Sequence, residues 1–357
     1  MNERAVRARM VFGRPFALLL TVLLLALGGC GNPVPYQQES YVFGTRVEIL
    51  IAGAPRDTAR AAAGEVLREF DRLHRTLHAW QTSDLTRLNA AIARDEHDIA
   101  VSPELAAILT DAARIAARSD QLFNPAMGKL IGLWGFQGDE FKPVLPPADR
   151  VAALARAHPS MADLTITADR VTSRNADVKL DLGGYAKGYA LDRAAAILRA
   201  QGVHNALINI GGNVMALGDK AGKPWRVGVQ HPRQPWPLAT LELRDGEAIG
   251  TSGDYQRYFE VDGKRYCHLL DPRTGRPADQ AQAVTILVTP RPNAGALSDA
   301  ASKPPFIAGP HAWREYARKL GIDHALFVDA TGKVSVTRAL SQRLQFAEGV
   351  VPAEVVE

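Results

Sequence analysis

Cysteine is nearly missing from these 357 residues: there are two, Cys30 and Cys267. Two thiols cannot build a cysteine zinc cluster, and once Cys30 is consumed as described below no internal disulfide remains. Long apolar runs are also scarce. Beyond the first thirty residues no stretch is long and apolar enough to cross a bilayer. No G-x-G-x-x-G follows a strand-like segment and no G-x-x-x-x-G-K-[ST] occurs, which leaves a Rossmann or P-loop nucleotide site without support. Charge of one sign is lacking too: 42 Lys and Arg face 38 Asp and Glu, for a net charge of +4. Part of that excess is Arg4, Arg7, Arg9 and Arg14. The rest is close to neutral, so the basic balance does not indicate nucleic acid.

What is present begins with an export pattern. The four arginines precede an apolar run, Phe16 to Leu27, and then Leu27-Gly28-Gly29-Cys30. The run is too short to span a membrane comfortably and ends in small residues, the form of a secretory signal. Leu-Gly-Gly-Cys also resembles the bacterial lipobox. The expectation is a signal peptide over 1–29, a lipidated Cys30 at the periplasmic side of a bacterial membrane, and a tether over 30–39. Gly31 follows the cysteine, so nothing marks retention in the inner membrane. Pro33 and Pro35 fix their own φ and keep the tether extended. About 320 residues remain, enough for a real core; they divide into a domain over 40–345 and a tail over 346–357.

Tyr41–Ile51 alternates apolar and polar residues and predicts one half-buried strand. Asp57–Leu77 carries Ala62, Val66, Leu67, Phe70 and Leu73 at helical spacing. Ser102-Pro103-Glu104 opens a helix to about Ser119 with N-cap chemistry, and Leu191–Ala200 is helical. Strands are expected at 207–210, 226–229 and 283–288, with a hairpin of 326–328 and 333–336 around Asp329-Ala330-Thr331-Gly332. Helices and strands cluster without strict alternation, which predicts an α+β fold.

Four polar, glycine-rich stretches sit between these apolar elements. In Asp181–Asp192 the glycines allow close backbone approach, free N–H groups suit an anion, and Lys187 adds a point charge; a tight turn with a surface lysine reads as well. Ile208-Asn209-Ile210-Gly211-Gly212-Asn213 is a strand running into paired glycines. Thr251-Ser252-Gly253-Asp254-Tyr255 precedes His268 and Asp271, where histidine can take a proton near neutral pH and a carboxylate can fix its tautomer. In Leu297–Lys303, Asp299 is the only acid, with helix capping as the plain account.

Together these segments resemble the ApbE family, the FAD:protein FMN transferases. Asp181–Asp192 matches D-[LF]-x-x-I-A-K-G-Y-A-x-D, and Gly211-Gly212-Asn213 matches a G-G-[DN] strand end. Thr251–Pro277 follows T-S-G-D-Y … G-K-R-Y-x-H-I-[LI]-D-P-x-T-G-x-P almost residue for residue. Weaker matches are Phe43-Gly44-Thr45, Trp80–Asn89 and Phe123–Phe136. The resemblance spans nearly the whole chain after the tether.

It implies an ApbE-like, T-fold-like arrangement of mixed sheets and packed helices with an FAD cleft between two halves. It implies that Mg²⁺ assists on the pyrophosphate while a hydroxyl of an acceptor flavoprotein, a subunit of a membrane redox complex or a similar extracytoplasmic protein, attacks the FMN phosphorus and AMP leaves. Carried over, His268 is the base and Asp271 orients the site. Leu77, Trp80, Gly183, Lys187, Thr251, Ser252 and Gly253 bind the flavin nucleotide; a backbone carbonyl of Gly184 and the carboxylate of Asp299 bind the metal. Asp192 serves either binding or turn structure. Two positions depart from the family pattern. Asn124 stands where Asp is usual, and Lys303 stands where a threonine hydroxyl completes the metal site, followed by Pro304 and Pro305, which require the helix to bend or to start later. An ammonium cannot ligate Mg²⁺. Either it takes the cation's place beside Asp299, or Mg²⁺ binds with water for the lost ligand, or the chain is a flavin binder without transfer. A retained, weaker metal site is the favoured expectation. A metal-dependent FAD pyrophosphatase giving FMN and AMP is the other alternative activity.

Overall fold

The alternation of the entry segment produces β-structure, but as a hairpin and not as one strand. In the computed structural model, which describes residues 34–138 and 140–357, β1 (Tyr36–Val42) pairs antiparallel with β2 (Thr45–Ile51). Phe43 at φ 57° and Gly44 at φ 68° form the two-residue turn between them. That left-handed pair matches the twist of a tight hairpin, and Phe gives no local signal for it. Val47, Ile49 and Ile51 face inward and are buried. Residues 36–39, expected in the tether, are therefore strand; residues 1–30, with the expected signal and lipid site, lie outside the described residues.

Seven more strands extend the sheet: β3 (Ala206–Ile210), β4 (Asn213–Leu217), β5 (Ala248–Gly253), β6 (Ala281–Val288), β7 (His324–Asp329), β8 (Val334–Thr337) and β9 (Glu354–Val356). They lie side by side in chain order, antiparallel throughout except for β8 with β9. The expected tail thus ends in a sheet strand, because the apolar Val355 and Val356 find an open edge beside Val336 and Thr337.

All eight residues of β6 are buried, which explains its unbroken apolar run. Val284, Ile286 and Val288 pack on one side with the helices, and Ala283 and Leu287 on the other with Trp225, Leu238, Leu241 and Leu243. The latter four belong to a small sheet of Trp225–Gln230, Pro237–Leu243 and Leu344–Phe346. Each such aliphatic side chain contributes roughly 1.5–3 kcal/mol on burial. The helices that matter for the site are α1 (Arg56–Leu77), α2 (Asp84–Ala93), α3 (Pro103–Arg118), α4 (Ala186–Ala200), α5 (Ala294–Ala301) and α6 (Lys303–Ala308). α1 buries Ala59, Ala62, Ala63, Val66, Phe70, Leu73 and Leu77 at helical spacing. Ser102 caps α3 through the N–H of Leu105, with Pro103 in its first turn. An antiparallel sheet with packed helices is the expected α+β class. Pro35–Glu357 is one compact unit.

Glycines set how α5 docks. A Cβ on Gly188 of α4 would lie 2.2 Å from the carbonyl oxygen of Gly295, and one on Gly250 of β5 would lie 2.4 Å from that of Ser298. Only glycine lets α5 settle this closely onto both elements. Asp192 then caps α5, accepting the N–H groups of Gly295 and Ala296 at 2.8 Å each; its role is structural. α5 ends at Ala301, and the chain restarts at Lys303 with Pro304 and Pro305 in the first turn of α6. Proline is tolerated there because those N–H groups have no intrahelical acceptor, and the expected restart is what forms.

Candidate active site

Residues of α1, α4, α6 and β5 wall a cavity of about 390 Å³, within the range of small-molecule sites. Leu77, Trp80, Gly183, Gly184, Lys187, Thr251, Ser252, Gly253 and His268 all line it, although the sequence holds them up to 191 positions apart (Leu77 to His268). Three local features hold them there. Asn89 of α2 exchanges two hydrogen bonds with the backbone of Leu180 (2.9 and 2.6 Å), fixing the approach to Asp181–Gly184. Lys187 lies in the first turn of α4 and lines the cavity. A hairpin of Tyr258–Val261 and Lys264–Cys267, turning at Asp262 and Gly263 with positive φ, delivers His268.

His268 is half-buried and lines the cavity. Its Nδ1 is 3.2 Å from the Arg257 carbonyl oxygen, which also accepts the His268 backbone N–H at 3.0 Å. A carbonyl only accepts, so we assign the ring proton to Nδ1, which leaves the Nε2 lone pair unprotonated. Burial, reinforced by the positive charges of Arg257 and Lys187, lowers the imidazole pKa to about 3. The ring is therefore neutral at physiological pH. Arg257 is a site residue that the sequence did not reveal. It acts on His268 through its main chain, and its guanidinium is held by the carbonyls of Phe136 and Gly138 at 2.8 and 3.0 Å.

Asp271 does not orient His268, contrary to expectation. Its carboxylate grips Arg273, accepting the backbone N–H and both Nε and a terminal nitrogen (2.8–2.9 Å), and its carbonyl accepts the Gly275 N–H at 2.8 Å. It does not line the cavity. Three residues of separation across a bend place its side chain in the Pro/Gly turn, and the Arg257 carbonyl does the orienting.

Under the cavity floor Asp299 is 1% exposed. Its Oδ2 accepts the Gly188 N–H at 3.1 Å. Its Oδ1 accepts from the Lys303 ammonium at 2.5 Å, and its carbonyl oxygen from the same ammonium at 2.6 Å. Burial alone would raise the Asp299 carboxyl, but Lys303 and Lys187 outweigh it and hold it below the usual range. Ser252 Oγ lies 2.7 Å from Ser302 Oγ, and Ser302 donates to the Asp299 carbonyl at 2.7 Å. Thr251 pairs with Thr285 at 2.9 Å. A Cβ at Gly184 would meet Lys303 Cε at 2.9 Å, so the lysine stem lies against the Gly184 backbone. Mg²⁺ asks for several hard oxygens in open octahedral array. Here both Asp299 carboxylate oxygens are engaged and the Lys303 ammonium already sits on one of them. The donor set does not fit the Mg²⁺ site expected on Gly184 and Asp299.

Trp80, 39% exposed at the cavity, stands edge-on to His78 at 4.7 Å, offering an aromatic face to a ring system. Asn124 donates to the Pro159 carbonyl at 2.8 Å, a bond that the more usual aspartate cannot make.

Comparison with known proteins agrees with this geometry. A family model described as the ApbE family matches residues 43–327. The chain is 40% identical over 324 residues to a Rhodobacter capsulatus protein named FAD:protein FMN transferase, covering 90% of this chain and 61% of that protein. It is 30% identical to a Vibrio cholerae protein of the same name, over 76% of this chain and 82% of that one. Among solved structures, the ApbE protein of Thermotoga maritima superposes with a TM-score of 0.78 at 31% identity, covering 87% of this chain and 99% of that one.

Proposed function

The chain belongs to the ApbE family, and from that premise we propose that it transfers FMN from FAD to a threonine or serine hydroxyl of an acceptor flavoprotein. The carrying observation is a neutral His268, its Nδ1 proton held by a carbonyl, in one cavity with Lys187, Lys303 and Trp80. In this reading Trp80 and Leu77 receive a ring of FAD, while Thr251, Ser252 and Gly253 line its phosphates beside Lys187. The acceptor hydroxyl oxygen attacks the FMN-side phosphorus. His268 Nε2 takes the hydroxyl proton, the bond to the bridging oxygen breaks, and AMP departs with that oxygen. No step is assigned to Mg²⁺.

The N-terminal pattern supports a location: an exported domain, anchored through lipid on Cys30 at the periplasmic side of a bacterial membrane. The acceptor would then be a flavin-carrying subunit of a membrane redox complex or a similar extracytoplasmic protein.

The test incubates the full chain in mild detergent with FAD and a threonine-bearing acceptor domain, read by intact-protein mass and nucleotide chromatography. The expected result is one FMN added per acceptor with equimolar AMP, slowed about 10²–10⁴-fold by His268→Ala. Free FMN with AMP and an unmodified acceptor would point instead to a pyrophosphatase, and retained FAD alone to a flavin carrier.

A further inference from the structure

We propose that the Lys303 ammonium replaces the divalent cation of this centre, so that the chain handles the FAD pyrophosphate without metal. The proposal rests on the FMN-transfer reading for its catalytic consequence, while its structural core, a fixed ammonium where a metal is expected, can be tested separately.

Four observations converge on Lys303. First, the ammonium lies on Asp299, donating to Oδ1 of the carboxylate expected to bind the metal and to the main-chain carbonyl of the same residue. Second, the placement is built. The Lys303 stem lies against Gly184, where any Cβ would come within 2.9 Å of its Cε. With no side chain at Gly184, the Lys303 stem packs directly on its backbone.

Third, the backbone under Lys303 is fixed. Pro304 and Pro305 fill the first turn of α6 and Ser302 bonds back to the Asp299 carbonyl, while Ser252 Oγ anchors Ser302 from β5. Fourth, the donor count leaves the ammonium free to act. It has three N–H bonds and Asp299 accepts two, so one remains for an anion in the cavity that Lys303 lines. A phosphate oxygen is a suitable acceptor, and Lys187 lines the same cavity as a second positive charge.

A divalent ion brought to Asp299 would meet this ammonium at contact distance, and like charges that close repel strongly. Asp299 offsets part of the Lys303 charge while leaving one of its N–H bonds for a phosphate oxygen, and Lys187 adds a second positive charge to the same cavity. One fixed cation replaces a diffusible one, and the centre no longer depends on metal supply.

The experiment measures FMN transfer by the full chain after exhaustive treatment with a chelator, with and without added Mg²⁺. In parallel, Mn²⁺ binding is followed by electron paramagnetic resonance on the same protein without nucleotide. Wild type should transfer at the same rate, within about twofold, in chelator and in Mg²⁺, and should leave Mn²⁺ free. Lys303→Thr should lose transfer in chelator by about 10²-fold, regain it with Mg²⁺, and bind one Mn²⁺. Lys303→Met, which keeps length without charge, should be slow in both conditions. Wild-type transfer that vanishes in chelator and returns with Mg²⁺, or stoichiometric Mn²⁺ on the wild-type apoprotein, overturns the proposal while leaving the transferase reading intact. If no transfer occurs in any condition, that reading fails, and wild-type Mn²⁺ binding still decides the metal question. Should Lys303→Thr fail to fold, the wild-type arms decide alone.

Discussion

Acid should weaken the fold long before it silences the base. His268 has its pKa lowered to about 3 by burial and by the neighbouring charges of Arg257 and Lys187, whereas in the unfolded chain it titrates near 6.5. Between those values the unfolded state binds the proton and the folded state does not. Stability from this group is therefore full above the unfolded value and falls as pH drops below it. From pH 7 to pH 5 the loss is about 2 kcal/mol, since each unit of displacement is worth about 1.4 kcal/mol and about one and a half units of the window are crossed. For a domain of this size that is a decrease in Tm of about 3 °C.

The assay compares wild type with His268→Gln, which fills similar space and does not titrate in this range. Every other group cancels in the difference, so the gap between the two melting temperatures should shift by about 3 °C between pH 7 and pH 5, to the disadvantage of wild type. Over the same range kcat/KM of wild type should stay nearly flat, because it reports the free enzyme's base. A histidine at its ordinary value would instead be only about 3% deprotonated at pH 5, with a roughly 30-fold fall in rate. Parallel melting curves together with that 30-fold fall would refute the reasoning, and would mean that His268 is solvated and the neighbouring cations are screened.

Three further outcomes follow from the packing. Gly188→Ala inserts a methyl 2.2 Å from the Gly295 carbonyl; it should cost more than about 3 kcal/mol in urea unfolding and abolish FAD binding as α4 and α5 separate. Trp80→Ala removes a half-exposed aromatic that holds no core together; FAD affinity, read by flavin fluorescence quenching, should drop about tenfold, with Tm unchanged within about 1 °C. Asp271→Asn should leave the rate of transfer within about threefold, since its carboxylate serves Arg273 and its turn; a loss of 100-fold would restore it as the partner of His268.

The parts of this protein that sequence disclosed are those where a local rule and the tertiary structure agree. Helical spacing in α1 marked its buried face, Ser102 and Pro103 marked the start of α3, and Asp329–Gly332 marked the hairpin of β7 and β8. Spacing failed where the decisive group is main chain. The Phe43–Gly44 turn depends on a Phe at positive φ, which its neighbours impose and its side chain does not announce. The partner of His268 is a carbonyl, and any residue at position 257 would present one there; the nearby Asp271 looked the better candidate because only side chains are legible. Asp299 was legible as a lone acid among small residues, yet its meaning lay in Gly188 and Ser302, which reach it from another helix and from the hinge between α5 and α6. Lys303 is the instructive case. Its chemistry alone ruled it out as a ligand, and three outcomes stayed open because the direction of a long flexible side chain is set by what it packs on. In the fold the stem packs against the Gly184 backbone and the ammonium donates to two Asp299 oxygens, a placement that tertiary packing supplies and residue type does not announce.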